Sequence, residues 1–470
     1  MIQSLKTKIF RLLVVLIALI SCTFLPLGNN CEAKETNLSQ DYIDAYFTSL
    51  AAASCLGEYL EGESMGFNYL RIMGWGIAPR VSRLGKLETH FAVAKRYFKD
   101  LDKTVFMITF RGSATKNDWK INLKTKKANY GGTTLAEMEA LAAQPEIKNG
   151  PAVHGGFNEY ADNVLKDSVI NAEGNLSGVF GYAKETPNAH IILTGHSMGG
   201  AVATLLATRL VDLGFPKDRI NVVTFGEPAI GNAAYNEQYA NKLHIVRITN
   251  TNDPIPGSLQ TFFGGYEQCG KNVKYHLSNQ IGNVQHDMAM YFDHSIIDLY
   301  KTEDAEIAAG RMTSIPRYRV KQGRPIVALW AESAPGLAKI PMMPDLKRML
   351  LDQYVKFIPS YVLLNDNINA EKDYVKQDII AASRKAGADY VILCSIDSRR
   401  YKDKDDSWYI TQEQSLFKSD GSLLTMTSYA KRVTPSIGNV QAAGENCLEA
   451  FGELQRCLPF IGELVEDNVQ

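Results

Sequence analysis

The stretch His190-Ile-Ile-Leu-Thr-Gly-His-Ser-Met-Gly-Gly-Ala-Val202 constrains this chain more than any other. Ile191-Ile192-Leu193 reads as a strand, and the Ala/Leu-rich run from Ala201 to Leu210 reads as a helix. Between them, Gly195-His196-Ser197-Met198-Gly199 leaves room only for a sharp turn, because a Cβ at either glycine would crowd the strand or the helix. A strand that turns this tightly into a helix is built for a parallel α/β sheet, and it lifts a serine hydroxyl over the carboxyl edge. Gly-x-Ser-x-Gly alone is a weak signal, and a Gly/Ser turn without chemical consequence is the plain alternative. A serine hydroxyl is also a poor nucleophile. It needs a base, an orienter for the base and donors for an oxyanion, and the rest of the chain must supply them.

At 470 residues the chain is expected to form two domains. Its 45 % hydrophobic and 21 % charged content are ordinary globular values, and a formal net charge of −1 argues against a nucleic-acid partner. The first 33 residues read as a signal peptide. Lys6, Lys8 and Arg11 form a basic start, Leu12 to Leu27 an apolar core, and Cys31 and Ala33 a small-residue cleavage site. Leu19-Ile20-Ser21-Cys22 also resembles a lipobox, which would place a lipid on Cys22 instead. Cleaved, lipidated or retained as an anchor, the segment places the folded part outside the cytoplasm. Beyond it lie Cys55, Cys269, Cys394, Cys447 and Cys457, an odd number without a disulfide framework, although one bridge is compatible with an oxidising compartment. No spacing among them suggests zinc.

From residue 34 to about 310, strands alternate with helices. Strands are predicted at Phe91–Phe98, Thr104–Phe110, 190–194, Ile220–Phe225, His244–Ile248 and Lys271–Ser278. Helices are predicted at Asp41–Leu60, within 157–183, at 198–213 and at Asp287–Tyr300. This alternation implies a mostly parallel sheet covered on both faces. Gly310-Arg-Met-Thr-Ser-Ile-Pro316 reads as a connector, and residues 311–470 as a smaller C-terminal α/β (α+β) domain without a catalytic constellation.

Within the first domain the missing parts appear in a usable order. The strand ending at Phe110 runs into Arg111-Gly112-Ser113, a small-residue loop able to offer an oxyanion donor beside the Met198 N–H. The strand at His244–Ile248 leads to Asp253-Pro254-Ile255-Pro256, a stiff loop suited to a carboxylate that orients an imidazole. A base is expected after the acid, where His276, His286 and His294 follow. His276 lies in a strand pattern. His286 precedes the last helix and His294 lies two turns into it, so His286 reaches over a sheet edge more easily, with His294 kept as the alternative base.

Four stretches together resemble the class 3 lipases, the fungal-lipase-like branch of the α/β-hydrolases, over residues 40–305. They are Phe110-Arg-Gly-Ser113 with Asp118-Trp119; Val153-His154-Gly-Gly-Phe157; Thr194-Gly-His-Ser-Met-Gly-Gly200 with Phe225-Gly-Glu-Pro228; and Val246-Arg247 through Asp253-Pro254. The family places a histidine a few residues before an aromatic near the domain's end, and both His286…Tyr291 and His294…Tyr300 answer to that. The resemblance implies an α/β-hydrolase fold and a serine ester hydrolase with Ser197 as nucleophile, Asp253 as acid, a histidine base, and Met198 and Ser113 as oxyanion donors. It requires no metal or organic cofactor.

Acylglycerols, phospholipids and small soluble esters all remain open as substrates. Leu135-Ala-Glu-Met138-Glu-Ala-Leu141 reads either as a short amphipathic lid or as a core-facing helix. Arg111, Lys116, Lys120, Lys124, Lys126 and Lys127, against Asp118 alone, read either as a solvated face or as attraction to an anionic lipid surface. The contrasting reading is a catalytically inactive hydrolase fold that serves as a binding module of the cell envelope, its C-terminal domain contacting another protein.

Overall fold

The computed structural model describes residues 38–59, 65–84, 87–113, 125–239, 242–276, 286–333, 343–364, 376–401, 407–434 and 437–462. The expected signal segment with Cys22, and Lys116, Asp118, Trp119, Lys120 and Lys124 of the basic stretch, lie outside these residues. Two compact units are present, one built from residues 47–277 and 284–294, the other from those up to 46 and from 295 onward. The division therefore falls inside the helix Met288–Ala308 rather than at the connector near 310.

The first unit is organised around seven strands. These are β1 (Gly76–Leu84), β2 (Leu87–Phe98), β3 (Lys103–Phe110), β6 (Ala189–His196), β7 (Ile220–Phe225), β8 (His244–Asn250) and β9 (Lys271–Tyr275), paired in that order. A separate ribbon pairs β4 (Lys127–Asn129) with β5 (Ala152–His154). The pairs β1/β2 and β2/β3 are antiparallel, and the remaining four are parallel. Strand β1 escaped the sequence reading because Gly76-Ile-Ala-Pro-Arg-Val-Ser-Arg-Leu84 carries too little apolar alternation, and pairing along β2 supplies what pattern lacks.

Strand register decides where chemistry can gather. Phe110 sits opposite Gly195, His196 opposite Phe225, Phe225 opposite Ile248, and Asn250 opposite Tyr275. The residues just past β3, β6, β7 and β8 thus emerge side by side along one carboxyl edge, as open parallel sheets require of a binding crevice. Beneath them the helix Met198–Asp212 is buried through Leu210, and packs Val202, Leu205 and Leu206 against Ile191, Leu193 and Val222. The segment Leu135–Ala142 is a helix capped by Thr134, whose side chain accepts from the Glu137 N–H. Its Met138 is 2 % exposed and belongs to the same core, so this helix faces inward rather than forming a loose amphipathic flap.

The second unit carries β10 (Tyr318–Arg319), β11 (Val327–Ser333), β12 (Tyr361–Leu363), β13 (Tyr390–Tyr401), β14 (Ser407–Lys418) and β15 (Leu423–Val433), in the order β10-β12-β11-β13-β14-β15. Strand β11 is parallel to both β12 and β13, and the other pairs are antiparallel. Alternation along β13 separates two faces. Val391 and Leu393 meet Ile379 and Ile380 of the helix Lys376–Lys385, whereas Cys394 contacts Tyr354 of the helix Met343–Phe357. Among the described residues the cysteines Cys55, Cys269, Cys394, Cys447 and Cys457 are free thiols. Among the described residues no helix is long and apolar enough to cross a membrane.

The turn at Ser197 depends on direct backbone contact. A Cβ on Gly195 would lie 2.2 Å from the Gly199 carbonyl carbon, and one on Gly199 would lie 2.1 Å from the Phe110 carbonyl oxygen. Both obstacles are backbone, so neither can yield. Gly195→Ala or Gly199→Ala is expected to lower the denaturation free energy by about 3 kcal/mol or to abolish soluble folding. Gly257→Ala, which meets nothing within 4 Å in the helix Ile255–Phe263, should leave stability equal or slightly raised. Urea unfolding of the three variants checks this.

Candidate active site

Ser197 stands between β6 and the helix Met198–Asp212 with φ 56° and ψ −127°, a conformation that a side-chain-bearing residue rarely adopts. The strain is held in place by neighbours. The Ser197 N–H donates to the Phe225 carbonyl at 2.9 Å, and the Ser197 carbonyl accepts from Gly200 N–H at 3.0 Å. Met198 is the first helical residue, where backbone N–H groups have no partner within the helix. Ser113, three residues past β3, brings its Oγ to 3.8 Å from Met198 Sδ. The two segments from which oxyanion donors are expected therefore meet beside the serine.

Asp253 follows β8, and its side chain is fully enclosed, 0 % exposed. Its Oδ1 accepts from Ile255 N–H at 2.9 Å. Its Oδ2 accepts from His286 Nδ1 at 2.8 Å and from the Tyr291 hydroxyl at 2.5 Å. A carboxylate held on three sides is locked in orientation, and the bond to Nδ1 leaves the Nε2 lone pair of a neutral His286 ring free to accept a proton. Gly226 makes this approach sterically feasible. It has φ +57°, and a Cβ there would come within 3.0 Å of both Asp253 Oδ2 and His286 Nδ1. Tyr291 receives the Asn250 N–H at 3.1 Å, and burial, then the charge of Asp253, holds its phenol well above the usual range, so it stays a donor.

The other candidate histidines are elsewhere. His294 lies within the helix Met288–Ala308, its ring 5.6 Å from that of Tyr275. His276 follows the end of β9, its Nδ1 3.1 Å from Thr251 Oγ1. His154 is fully buried, accepts the Phe157 N–H at 3.2 Å and stacks on that ring at 4.0 Å, which makes it a helix cap. Glu227, buried beside β7, accepts from Thr224 Oγ1, and burial raises its carboxyl above the usual range.

Three residues beside this pair carry little or no signal in the sequence. Tyr291 stands there only as an aromatic downstream of His286. His196 is part of the turn, yet its ring lies 4.5 Å from that of His286 and its Nε2 is 2.7 Å from the His286 carbonyl oxygen. Tyr59, in the turn after the helix Gln40–Gly57, places its hydroxyl 2.7 Å from His196 Nδ1. No motif links a tyrosine at 59 to a histidine at 196, so the sequence carried no signal for this pair.

Residues 107–262 match the sequence model of the family Lipase (class 3). Over that stretch the chain is similar to the class 3 lipases. Over 224 residues it is 28 % identical to the chloroplastic galactolipase DONGLE of Arabidopsis thaliana, covering 41 % of this chain and 45 % of that protein. Over 157 residues it is 27 % identical to the secreted mono- and diacylglycerol lipase A of Penicillium cyclopium, covering 33 % and 44 %. Over 190 residues it is 27 % identical to the chloroplastic/mitochondrial phospholipase A1 EG1 of Oryza sativa subsp. indica, covering 38 % and 41 %. The chain thus spans less than half the length of these relatives.

The contrast between the two histidines is directly measurable. On p-nitrophenyl esters, Asp253→Asn and His286→Ala are expected to lower kcat by at least about a thousandfold. Tyr291→Phe, which removes one of three hydrogen bonds to the acid, should cost about tenfold. His294→Ala should retain most of its activity, and an inactive His294→Ala beside an active His286→Ala would reverse the assignment.

Proposed function

We propose that this domain hydrolyses carboxylic esters of glycerolipids through an acyl-enzyme on Ser197. The observation that carries the reading is the His286–Asp253 pair, held at the same carboxyl edge as a strained serine. Ser197 Oγ attacks the ester carbonyl while His286 Nε2 takes its proton. Asp253 keeps the ring in the Nδ1–H tautomer and stabilises the imidazolium. Met198 and Ser113 N–H groups bind the oxyanion. The C–O bond breaks, the alcohol leaves with the proton from His286, and a water molecule repeats the sequence to free the acid and restore the serine.

Two observations favour a lipid over a small soluble ester. The relatives named above are, by name, a galactolipase, a mono- and diacylglycerol lipase and a phospholipase A1. The helix Ile255–Phe263, which opens two residues after Asp253, buries Leu259 in the core but leaves Phe262 77 % and Phe263 56 % exposed. Lys127 stands nearby, its amine 4.8 Å from the Tyr266 ring and close to Gly265. An exposed aromatic pair beside a cation suits the surface of a lipid aggregate. The basic and apolar N-terminal segment, and a secreted relative, support action outside the cytoplasm.

Purified protein should hydrolyse p-nitrophenyl esters, with Ser197→Ala at background. Equal inactivity of the two on every ester and lipid tried would sink the hydrolase reading. In the double variant Phe262→Ser/Phe263→Ser, the ratio of activity on phospholipid vesicles to activity on a soluble short-chain ester should fall about tenfold or more, since each phenylalanine forfeits about 2 kcal/mol of apolar burial. An unchanged ratio would remove this helix from the lipid contact.

A further inference from the structure

We propose that Tyr59 and His196 are positioning residues that tie the loop bearing His286 to the oxyanion loop at Gly112. This inference rests on the ester-hydrolase reading and concerns how that site is held together. The hydrogen bonds can be oriented without ambiguity. The His286 carbonyl oxygen only accepts, so His196 Nε2, 2.7 Å away, carries the proton. In a neutral ring Nδ1 is then the acceptor, and it takes the Tyr59 hydroxyl proton at 2.7 Å. The Tyr59 oxygen in turn accepts the backbone N–H of Gly112. The ring stays neutral because burial, and next the neighbouring His286, push its pKa well below the usual histidine range. Tyr59 cannot ionise in its place, since burial raises the phenol as well.

The three joined points are the ones the reaction needs in register. Gly112 precedes Ser113, His196 precedes Ser197, and His286 carries the base. None of the three is adjacent to another in sequence. The packing leaves little slack: a Cβ on Gly112 would lie 2.0 Å from the Tyr59 hydroxyl and 2.7 Å from the His196 carbonyl oxygen. Tyr59 also meets His196 edge to face, with ring centroids 5.5 Å apart. His286 is otherwise held at its ring by Asp253, while this relay holds its backbone, so the two together fix both ends of the residue.

The test uses the full chain. Tyr59→Phe keeps the aromatic contact and removes both hydrogen bonds. It should lower kcat on a soluble p-nitrophenyl ester by about 10- to 100-fold with little change in KM, because the base and oxyanion donors lose register while substrate binding does not. The unfolding midpoint should stay within a few degrees of wild type. His196→Gln, whose amide offers one acceptor and one donor, should retain clearly more activity than His196→Leu. Nitrogen-15 NMR of the wild type should show His196 in the Nε2–H tautomer at neutral pH. A Tyr59→Phe kcat within twofold of wild type, or an Nδ1–H tautomer at His196, overturns the proposal. Inactivity of the wild type itself strikes the hydrolase reading instead, and the tautomer still decides whether the relay exists.

Discussion

The site depends first on backbone packed against backbone where the end of β3 meets the turn after β6. Gly199 sits against the Phe110 carbonyl, and Gly195 against Gly199 itself, at distances that admit no side chain. Close packing at that point sets the position of the Arg111-Gly112-Ser113 loop relative to Ser197. It also forces Ser197 into a positive φ, a conformation costing on the order of 1–3 kcal/mol and held only because the surrounding sheet over-determines it. The stability of the buried sheet and helix is thus converted into precision at one hydroxyl.

Around that turn the polar groups form two linked layers. In one, Asp253 is surrounded by Ile255, Tyr291 and His286, so the acid has little freedom to rotate away from the ring. In the other, Tyr59 and His196 run beneath the same histidine to its carbonyl. Both layers are largely enclosed, where each satisfied hydrogen bond is stronger than in water and each missing one is more costly. Histidine, tyrosine and aspartate side chains this far enclosed settle into the one arrangement that satisfies them all.

Much of this was legible in sequence. The apolar run, the paired glycines and the Ala/Leu-rich helix announced a turn with a serine at its apex, since glycine spacing and helix propensity are local properties. The loops at Ser113 and Asp253 could be found because each follows a strand-like run in the right order. The helix at Leu135–Ala142 was ambiguous, because two leucines and a methionine at helical spacing look alike on a flap and on a core. Only the placement of Met138 among Tyr130, Val153 and Phe157 settled it. The extent of the last helix also exceeded the reading, running from Met288 to Ala308 across the division between the units.

What the sequence determined by itself, then, was the class of sheet, the turn that carries Ser197 and the order in which Ser197, Asp253 and His286 occur along the chain, because these follow from short-range pattern and steric exclusion. What tertiary structure alone decided was which side chains meet. Asp253 reaches His286 rather than His294 because the register of β7 on β8, and the open space above Gly226, bring residues 33 positions apart to 2.8 Å. Tyr59 finds His196 for the same reason, across 137 positions. No periodicity encodes such distances, since they are set by the stacking of whole strands and helices.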